Sequence, residues 1–556
     1  MRHNEDRRSP TSHSEAGRAR SADDVASAIS DSLIVVSNRQ PYRHEYEKRD
    51  GEENGDEQRG TKDGSTASSG VAVGGSSMIS HSTDAREITV DRPTGGLTAG
   101  LDPVLQRTGG TWIAWGDGEA DREVTDRDGC VGVPPETDTY TLKRVWLSDE
   151  AVDAYYRGFS NRVLWPLCHE FPGLVESRPG DLRYYRAVNR TFADAVVERA
   201  DEDAVVWLQD YHFAFAPAMI EEDVPDSVTI GQFWHIPWPS PGVFQHCPAR
   251  GHLLSGLLGN DLLGFHVDRY CERFLECVDR FVPDATVEWS RRSVTHHGSE
   301  TRVVAIPMGV DAEAYDRECR AIDSGRWESF RDRHGIPDGC TIGLGVDRLD
   351  YTKGIPERLA AVERLFERSP EWRGEFTFVQ KSTPSRTEVS AYERHGEYVR
   401  NEVERINARF GADGWQPIVY TEEYLPREDL CALYRRADVM IVSPLVDGMN
   451  LVAQEFVASC VDGDGALVLS ETVGSHELLG ESAYTIDPRR RETFTDTIET
   501  ALTDSQYERA RRITDLRRQV FDADLEAWMT AQFDELAQVH GSSATEEEPA
   551  GRSETV

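Results

Sequence analysis

Short apolar runs rich in valine and isoleucine recur along this chain, and each leads at once into polar or charged residues and then a helical pattern. The runs fall at 33–36, 204–208, 228–233, 302–306, 341–346, 376–380, 417–420 and 439–442. Such runs, without polar alternation, are what strands buried on both faces require, and strands alternating with helices predict a parallel α/β sheet. In these sheets ligands bind beyond the carboxyl ends of the strands, so the residues after each run are where chemistry is expected. At 556 residues the chain is long enough for two substantial cores, and a loosened pattern from about 311 to 335 separates two groups of runs.

Ionisable residues stand at those strand ends repeatedly. Arg39 follows the first run, Asp210 the second and His235 the third. In the second group, Arg348 and Lys353 stand five residues apart before an amphipathic helix, and Arg386 follows the run at 376–380. A strand, a basic loop and a helix N-terminus suit phosphate, because guanidinium and ammonium groups neutralise oxygens that the helix end also favours. After 439–442 comes Asp447-Gly448-Met449-Asn450, then a helix opening with Leu451 and Val452 and carrying Glu455 one turn in. Gly95 and Gly96 let backbone approach a ligand, and Tyr156 and Trp165 sit in a stretch that mixes aromatic with polar groups as sugar sites do. Each feature alone also reads as ordinary structure: Asp-Gly and Asn are turn residues, and a histidine after a strand is usually structural. No GxxxxGK[ST] loop and no strand-associated GxGxxG occurs, which argues against an NTPase and weakens a dinucleotide oxidoreductase.

A formal charge of −38 disfavours nucleic acid and an anionic membrane surface as partners. Lysine is confined to Lys48, Lys62, Lys143, Lys353 and Lys381, against 99 acidic residues, a surface suited to concentrated salt as in halophile proteins. The plainer alternative is an ordinary acidic enzyme. The nine cysteines are scattered without a CxxC pair, and the first thirty residues lack the apolar core of a signal peptide, so a cytoplasmic protein is expected. Polar tails over 1–30 and 541–556 are expected to be disordered, and 43–91 to be a long mobile insertion.

Taken together, SNR at 37–39, GGL at 95–97, YYRGFSNRVLWP at 155–166, DYH at 210–212, HIPWP at 235–239, DRLDYTKGIPER at 347–358 and DGMNLVAQE at 447–455 resemble the trehalose-6-phosphate synthases. These are retaining glycosyltransferases of the GT-B fold. The resemblance implies two facing Rossmann-like domains with a cleft between them, an acceptor domain over 31–325, a nucleotide-sugar domain over 326–520, and a helix over 521–540 returning to the first. It implies small-molecule substrates, glucose 6-phosphate and a nucleoside-diphosphate glucose such as UDP-glucose. Arg39, Tyr156, Trp165, Asp210 and Arg386 would then form the acceptor site. Gly95, Gly96, Arg348, Lys353, Asp447, Gly448, Met449, Asn450, Leu451, Val452 and Glu455 would form the donor site. His235, Arg348, Lys353 and Asp447 would be the catalytic set.

Retention in this family is thought to follow a front-face route, with the leaving phosphate taking the acceptor's proton. No enzyme nucleophile, cofactor or metal is then expected, and Asp462-Gly463-Asp464 is expected to be a loop. Departures from the pattern are Gln209 before DYH, Trp238 within HIPWP and the long stretch between Arg39 and Gly95. No DxDxT phosphatase signature follows 466, and self-association into a homo-oligomer is left open. Two other readings stay in view, the same scaffold with another phosphorylated acceptor such as glycerol 3-phosphate, and a non-catalytic sugar-phosphate sensor.

Both implied substrates are anions approaching a polyanion, and the Debye length falls to about 3 Å at 1 M salt. Transfer activity assayed from low to molar KCl should therefore persist or rise, and a loss at molar salt would contradict the halophilic reading.

Overall fold

The computed structural model describes residues 32–47, 86–92, 96–412 and 414–543. Twelve strands precede residue 306: β1 (Leu33–Val36), β2 (Arg43–Tyr46), β3 (Ile88–Asp91), β4 (Thr111–Trp115), β5 (Cys130–Val133), β6 (Tyr140–Val145), β7 (Val205–Gln209), β8 (Thr229–Phe233), β9 (Leu262–Phe265), β10 (Thr286–Glu288), β11 (Ser293–His296) and β12 (Ser299–Ala305). Six follow: β13 (Thr341–Arg348), β14 (Phe376–Thr383), β15 (Ile418–Thr421), β16 (Val439–Val442), β17 (Ala466–Ser470) and β18 (Tyr484–Ile486). Ten of the first group form one sheet in the order β10-β11-β12-β9-β8-β7-β1-β4-β6-β5, parallel except at its two edges. The second group forms a six-stranded parallel sheet, β15-β14-β13-β16-β17-β18. The expected α/β architecture is present.

Both faces of each sheet are covered, which is why the runs read as continuous apolar sequence. In β1, Ile34 and Val36 join a core with Val206, Leu208 and the helix Asp181–Val197, while Leu33 and Val35 face the opposite core with Val205 and Trp207. In β16, Met440 and Val442 face one core of the second sheet, and Val439 and Ile441 the other. The helix Gln506–Asp522 packs Ile513, Leu516 and Val520 on the second sheet's side. The chain then returns: Leu525 N donates to Val310 O at 3.1 Å, and the helix Leu525–Ser543 lays Trp528, Phe533 and Leu536 on the first sheet.

Three local expectations change. Residues 43–91 do not open with mobile chain, because β2 and β3 pair antiparallel from Arg43↔Asp91 to Tyr46↔Ile88, and residues 541–543 continue the helix Leu525–Ser543 in place of a tail; the expectations for 48–85, 1–30 and 544–556 lie outside the described residues. Arg348 is the last residue of β13, opposite Thr383, rather than a loop residue. The aromatic stretch is a wide π-helix, Asp153–Leu164, with most of its side chains buried. No described helix is long and apolar enough to cross a membrane.

Trp528 is 1% exposed, its ring 5.6 Å from that of Trp207 and edge-on to Phe233 at 5.3 Å. Trp528→Ala should lower the unfolding free energy by about 3–5 kcal/mol. Tyr507→Ala, at a residue that is 79% exposed, should change it by less than about 0.5 kcal/mol. Urea unfolding of the two variants checks the difference.

Candidate active site

The carboxyl ends of β1, β7 and β8 deliver Arg39, Asp210 and His235. Those of β13, β14 and β16 deliver Arg348, Arg386 and Asp447. The two sets meet. Arg386 Nη2 donates to Tyr211 Oη at 3.3 Å, and the Arg386 and Arg348 guanidinium carbons lie 4.0 and 5.1 Å from the centre of the Trp165 ring. Tyr270 Oη donates to Asp447 O at 2.8 Å, and a Cβ on Gly448 would come within 2.2 Å of His235 O. Glycine is required there because two backbones touch across the cleft.

On the second-sheet side, the segment after β13 is clamped to β16. Gly354 takes φ +62°, and a Cβ there would fall 2.1 Å from Ser443 O. The buried Arg358 guanidinium donates to Ser443 Oγ (2.9 Å), Asp347 Oδ2 (2.5 Å) and Gln380 Oε1 (2.9 Å). Lys353 is thereby held with Nζ 2.6 Å from Asp447 Oδ2, which also accepts from Asn450 Nδ2 at 3.0 Å, while Asp447 Oδ1 accepts from Gly448 N at 2.9 Å. Burial opposes charge on Asp447, but Lys353 and these hydrogen bonds outweigh it and bring the carboxyl down to about 2. Asn450 takes φ +70° and gives no side-chain cap to the helix Leu451–Ser459, so the N–H groups of Leu451 and Val452 at its start have no partner from that side chain, and Asn450 Oδ1 is buried without a hydrogen bond. Glu455 sits one turn along, where Tyr434 Oη donates to its Oε2 at 2.8 Å and burial pushes its carboxyl up. It turns to that tyrosine rather than to the Lys353–Asp447 pair.

On the first-sheet side, Arg39 donates to Tyr156 Oη at 3.1 Å and lies 3.6 Å from Asp117. Trp165 stacks on His169 at 4.1 Å, and its ring also meets Tyr211 at 5.9 Å and the two arginines. Asp210 has φ +72° and ψ 179°, a conformation that side chains disfavour. It is held by its own N–H donating to Phe233 O at 2.7 Å and by Oδ1 accepting from His235 N at 3.2 Å. Burial pushes its carboxyl up to about 7, against backbone N–H bonds from Tyr211 and His235 and the fields of Arg386 and Arg348. His235 Nε2 lies 3.0 Å from Gln209 Oε1, and burial together with His266 holds the ring neutral, well below the usual histidine range. Gln209 therefore acts on the position of His235. Trp238 lies in the core among Trp234, Phe244 and Phe274, so this departure is a matter of packing and not of the acceptor pocket.

Gly96 opens the helix Gly96–Thr108, and Gly95 lies outside the described residues. The pair Asp462 and Asp464 is engaged by Arg435 at 2.7 Å and Arg509 at 3.2 Å. Met449 is buried within its loop.

The sequence pattern of glycosyltransferase family 20 matches residues 67–538. The chain belongs to this family. It is 40% identical over 458 residues to the trehalose-6-phosphate synthase of Mycolicibacterium paratuberculosis, covering 80% of this chain and 90% of that protein. A solved E. coli structure bound with UDP-2-fluoro glucose superimposes with a TM-score of 0.75 at 28% identity, over 91% of this chain and 99% of that one. An alpha,alpha-trehalose-phosphate synthase (UDP-forming) from Burkholderia xenovorans in complex with glucose-6-phosphate gives 0.74 at 28% identity, over 91% and 100%. The family 20 chain accordingly has the GT-B arrangement, and it is a glycosyltransferase.

Four residues of this glycosyltransferase's cleft were not singled out by sequence reasoning. Asp350 is fully buried, with Arg386 at 3.6 Å and Arg348 at 4.0 Å, and these cations with Lys353 overcome its burial and hold its carboxyl below the usual range. His169 follows the short helix Trp165–Cys168, and Tyr211 and Tyr270 lie in helical stretches, where apolar neighbours mask all three. Repetition of a polar residue at every strand end was the only available signal, and it pointed at their partners.

Asp210 carries a testable consequence. With its carboxyl raised from 3.8 to about 7, Asp210 favours the fold fully below the unfolded pKa, and that contribution is lost as pH rises through about 7, where the buried group must ionise. Asp210→Asn should thus stabilise the protein against urea at pH 8 more than at pH 4. Equal effects at the two pH values would show that Asp210 is not raised.

Proposed function

We propose that this glycosyltransferase moves glucose from UDP-glucose to glucose 6-phosphate with retention, forming trehalose 6-phosphate and releasing UDP. The observation that carries this reading is the convergence of Arg348, Lys353 and Arg386 on one cleft beside the side-chain-uncapped start of the helix Leu451–Ser459. Two anions can be seated there. The relatives' names and the UDP-sugar and glucose-6-phosphate complexes among the similar structures support the same assignment.

In this reading the donor diphosphate takes Arg348, Lys353 and the N–H groups of Leu451 and Val452. Lys353 has three donors, so it can keep Asp447 while meeting a phosphate oxygen. Asp447, Gly448, Met449 and Asn450 hold the donor glucose with His235 beside it, Gly95 and Gly96 approach the donor by backbone, and Glu455 meets the ribose. Arg39 and Arg386 hold the acceptor phosphate, while Tyr156, Trp165 and Asp210 shape the acceptor sugar site. The bond from C1 to the diphosphate oxygen breaks as the acceptor hydroxyl adds on the same face, and the departing phosphate oxygen takes the hydroxyl proton. The chain's contribution is orientation and stabilisation of charge on the leaving group, where one well-placed donor is worth about 3–4 kcal/mol.

Incubation with UDP-, ADP- and GDP-glucose against glucose 6-phosphate and glycerol 3-phosphate, with the product's anomeric configuration read by NMR, tests the assignment. Trehalose 6-phosphate from UDP-glucose is expected; a glycerol-linked product alone, or none, would overturn it. Glu455→Gln should raise the donor KM about tenfold, the loss of roughly one charged hydrogen bond, and leave the acceptor KM within about twofold.

A further inference from the structure

We propose that the turn joining β11 and β12, together with the residue before β10's lead-in, binds one zinc-class divalent ion through Asp284 Oδ2, His296 Nε2 and His297 Nε2. His296 Nε2 and His297 Nε2 each lie 3.5 Å from the same Asp284 Oδ2, and ligand atoms from the three residues all lie within 4.8 Å of one another. Zinc bonds of about 2.0–2.2 Å in tetrahedral geometry place neighbouring ligand atoms about 3.3–3.5 Å apart. The two imidazoles thus face one carboxylate oxygen at the separation that neighbouring ligands of one ion take.

The backbone makes this possible. Adjacent residues of a strand point to opposite faces. His297, however, takes φ +52° and Gly298 φ +102° in the turn, which brings the two imidazole rings to 3.9 Å between centroids. Asparagine is the favoured residue at such a turn position, so a histidine at left-handed φ beside a second histidine calls for a use. Two imidazoles and one carboxylate suit zinc, cobalt or nickel ahead of magnesium or calcium. A cavity of ≈ 380 Å³ lined by His252, His296 and His297 adjoins the triad and leaves room for water at a fourth position. The ion's role is structural: it would tie the edge hairpin of the ten-stranded sheet to the end of the helix Asp268–Phe281, the helix that carries Tyr270 to the Asp447 carbonyl.

The test uses the full chain, stripped with chelator, then titrated with Zn²⁺ for stoichiometry and melting temperature and with Co²⁺ for visible absorption. One ion per chain and a zinc-dependent rise in Tm are expected. Asp284→Asn and His297→Asn should each weaken binding at least tenfold and abolish the Tm response. Because asparagine suits the turn, the ion-free Tm of His297→Asn should not fall below that of the ion-free parent, separating ligation from folding. Wild-type affinity in either variant, or no zinc-dependent change in the parent chain, would overturn the proposal.

Discussion

A charge taken out of water has to be paired, and the cleft of this glycosyltransferase is organised by that requirement. Stranding one buried ion costs several kcal/mol, more than most single contacts return. Asp350, Asp347 and Arg358 are all sequestered, and Lys353 and Asp447 are nearly so. Each finds a partner of opposite sign: Lys353 on Asp447, Arg358 on Asp347, and Arg386 and Arg348 on Asp350. The scaffold follows from these pairs. Gly354 must be glycine for Lys353 to reach Asp447, and Ser443 must follow β16 directly for Arg358 to hold the turn. The cations are fixed before any substrate arrives, which is the condition under which electrostatic stabilisation acts without reorganisation.

What could be read from sequence and what could not divide along the range of the interactions. Strand ends are local: an apolar run that stops at Arg39, Asp210 or Asp447 announces itself within a few residues. Asp350 stood inside a quoted motif yet looked like an ordinary turn residue, since its importance comes from Arg386, 36 residues on. Tyr270 meets the Asp447 carbonyl across 177 residues, and no periodicity reports that. The hairpin of β2 and β3 was missed for a related reason. Its sequences, RHEY and ITVD, are short and partly charged, and the two strands lie far apart in the chain. Arg348 was placed in a loop because charge at a strand's end resembles a boundary, whereas the backbone ladder with β14 continues through it.

The acidic exterior and the cationic cleft are compatible because they act over different distances. The 99 acidic residues exceed the 61 lysines and arginines by 38, and many of the carboxylates are matched locally by arginine, as where Asp223 meets Arg190 at 2.9 Å. Exposed pairs of this kind contribute little each and are screened by salt. Within the cleft, low solvent access leaves Arg386 and Lys353 effective at short range whatever the surface carries. Arginine at the surface and a scarce lysine at the site also divide the chemistry: planar guanidinium groups suit carboxylates in fixed networks, and a compact ammonium can turn between Asp447 and a ligand.

Asp210 shows how these terms combine at one residue. Its strained backbone is tolerated because the ends of β7 and β8 fix it through Phe233 O and His235 N. That same turn buries the carboxyl, and burial raises it while Arg386 and Arg348 pull it back. On the proposed assignment, an acceptor phosphate bound at Arg39 and Arg386 neutralises part of the field now holding the carboxyl down. Binding would then push Asp210 further toward its protonated form, and by linkage a protonated Asp210 would favour the phosphate equally. On that assignment the strand ends that place Asp210 couple its proton to the acceptor's charge through Arg386, which the opposite sheet contributes.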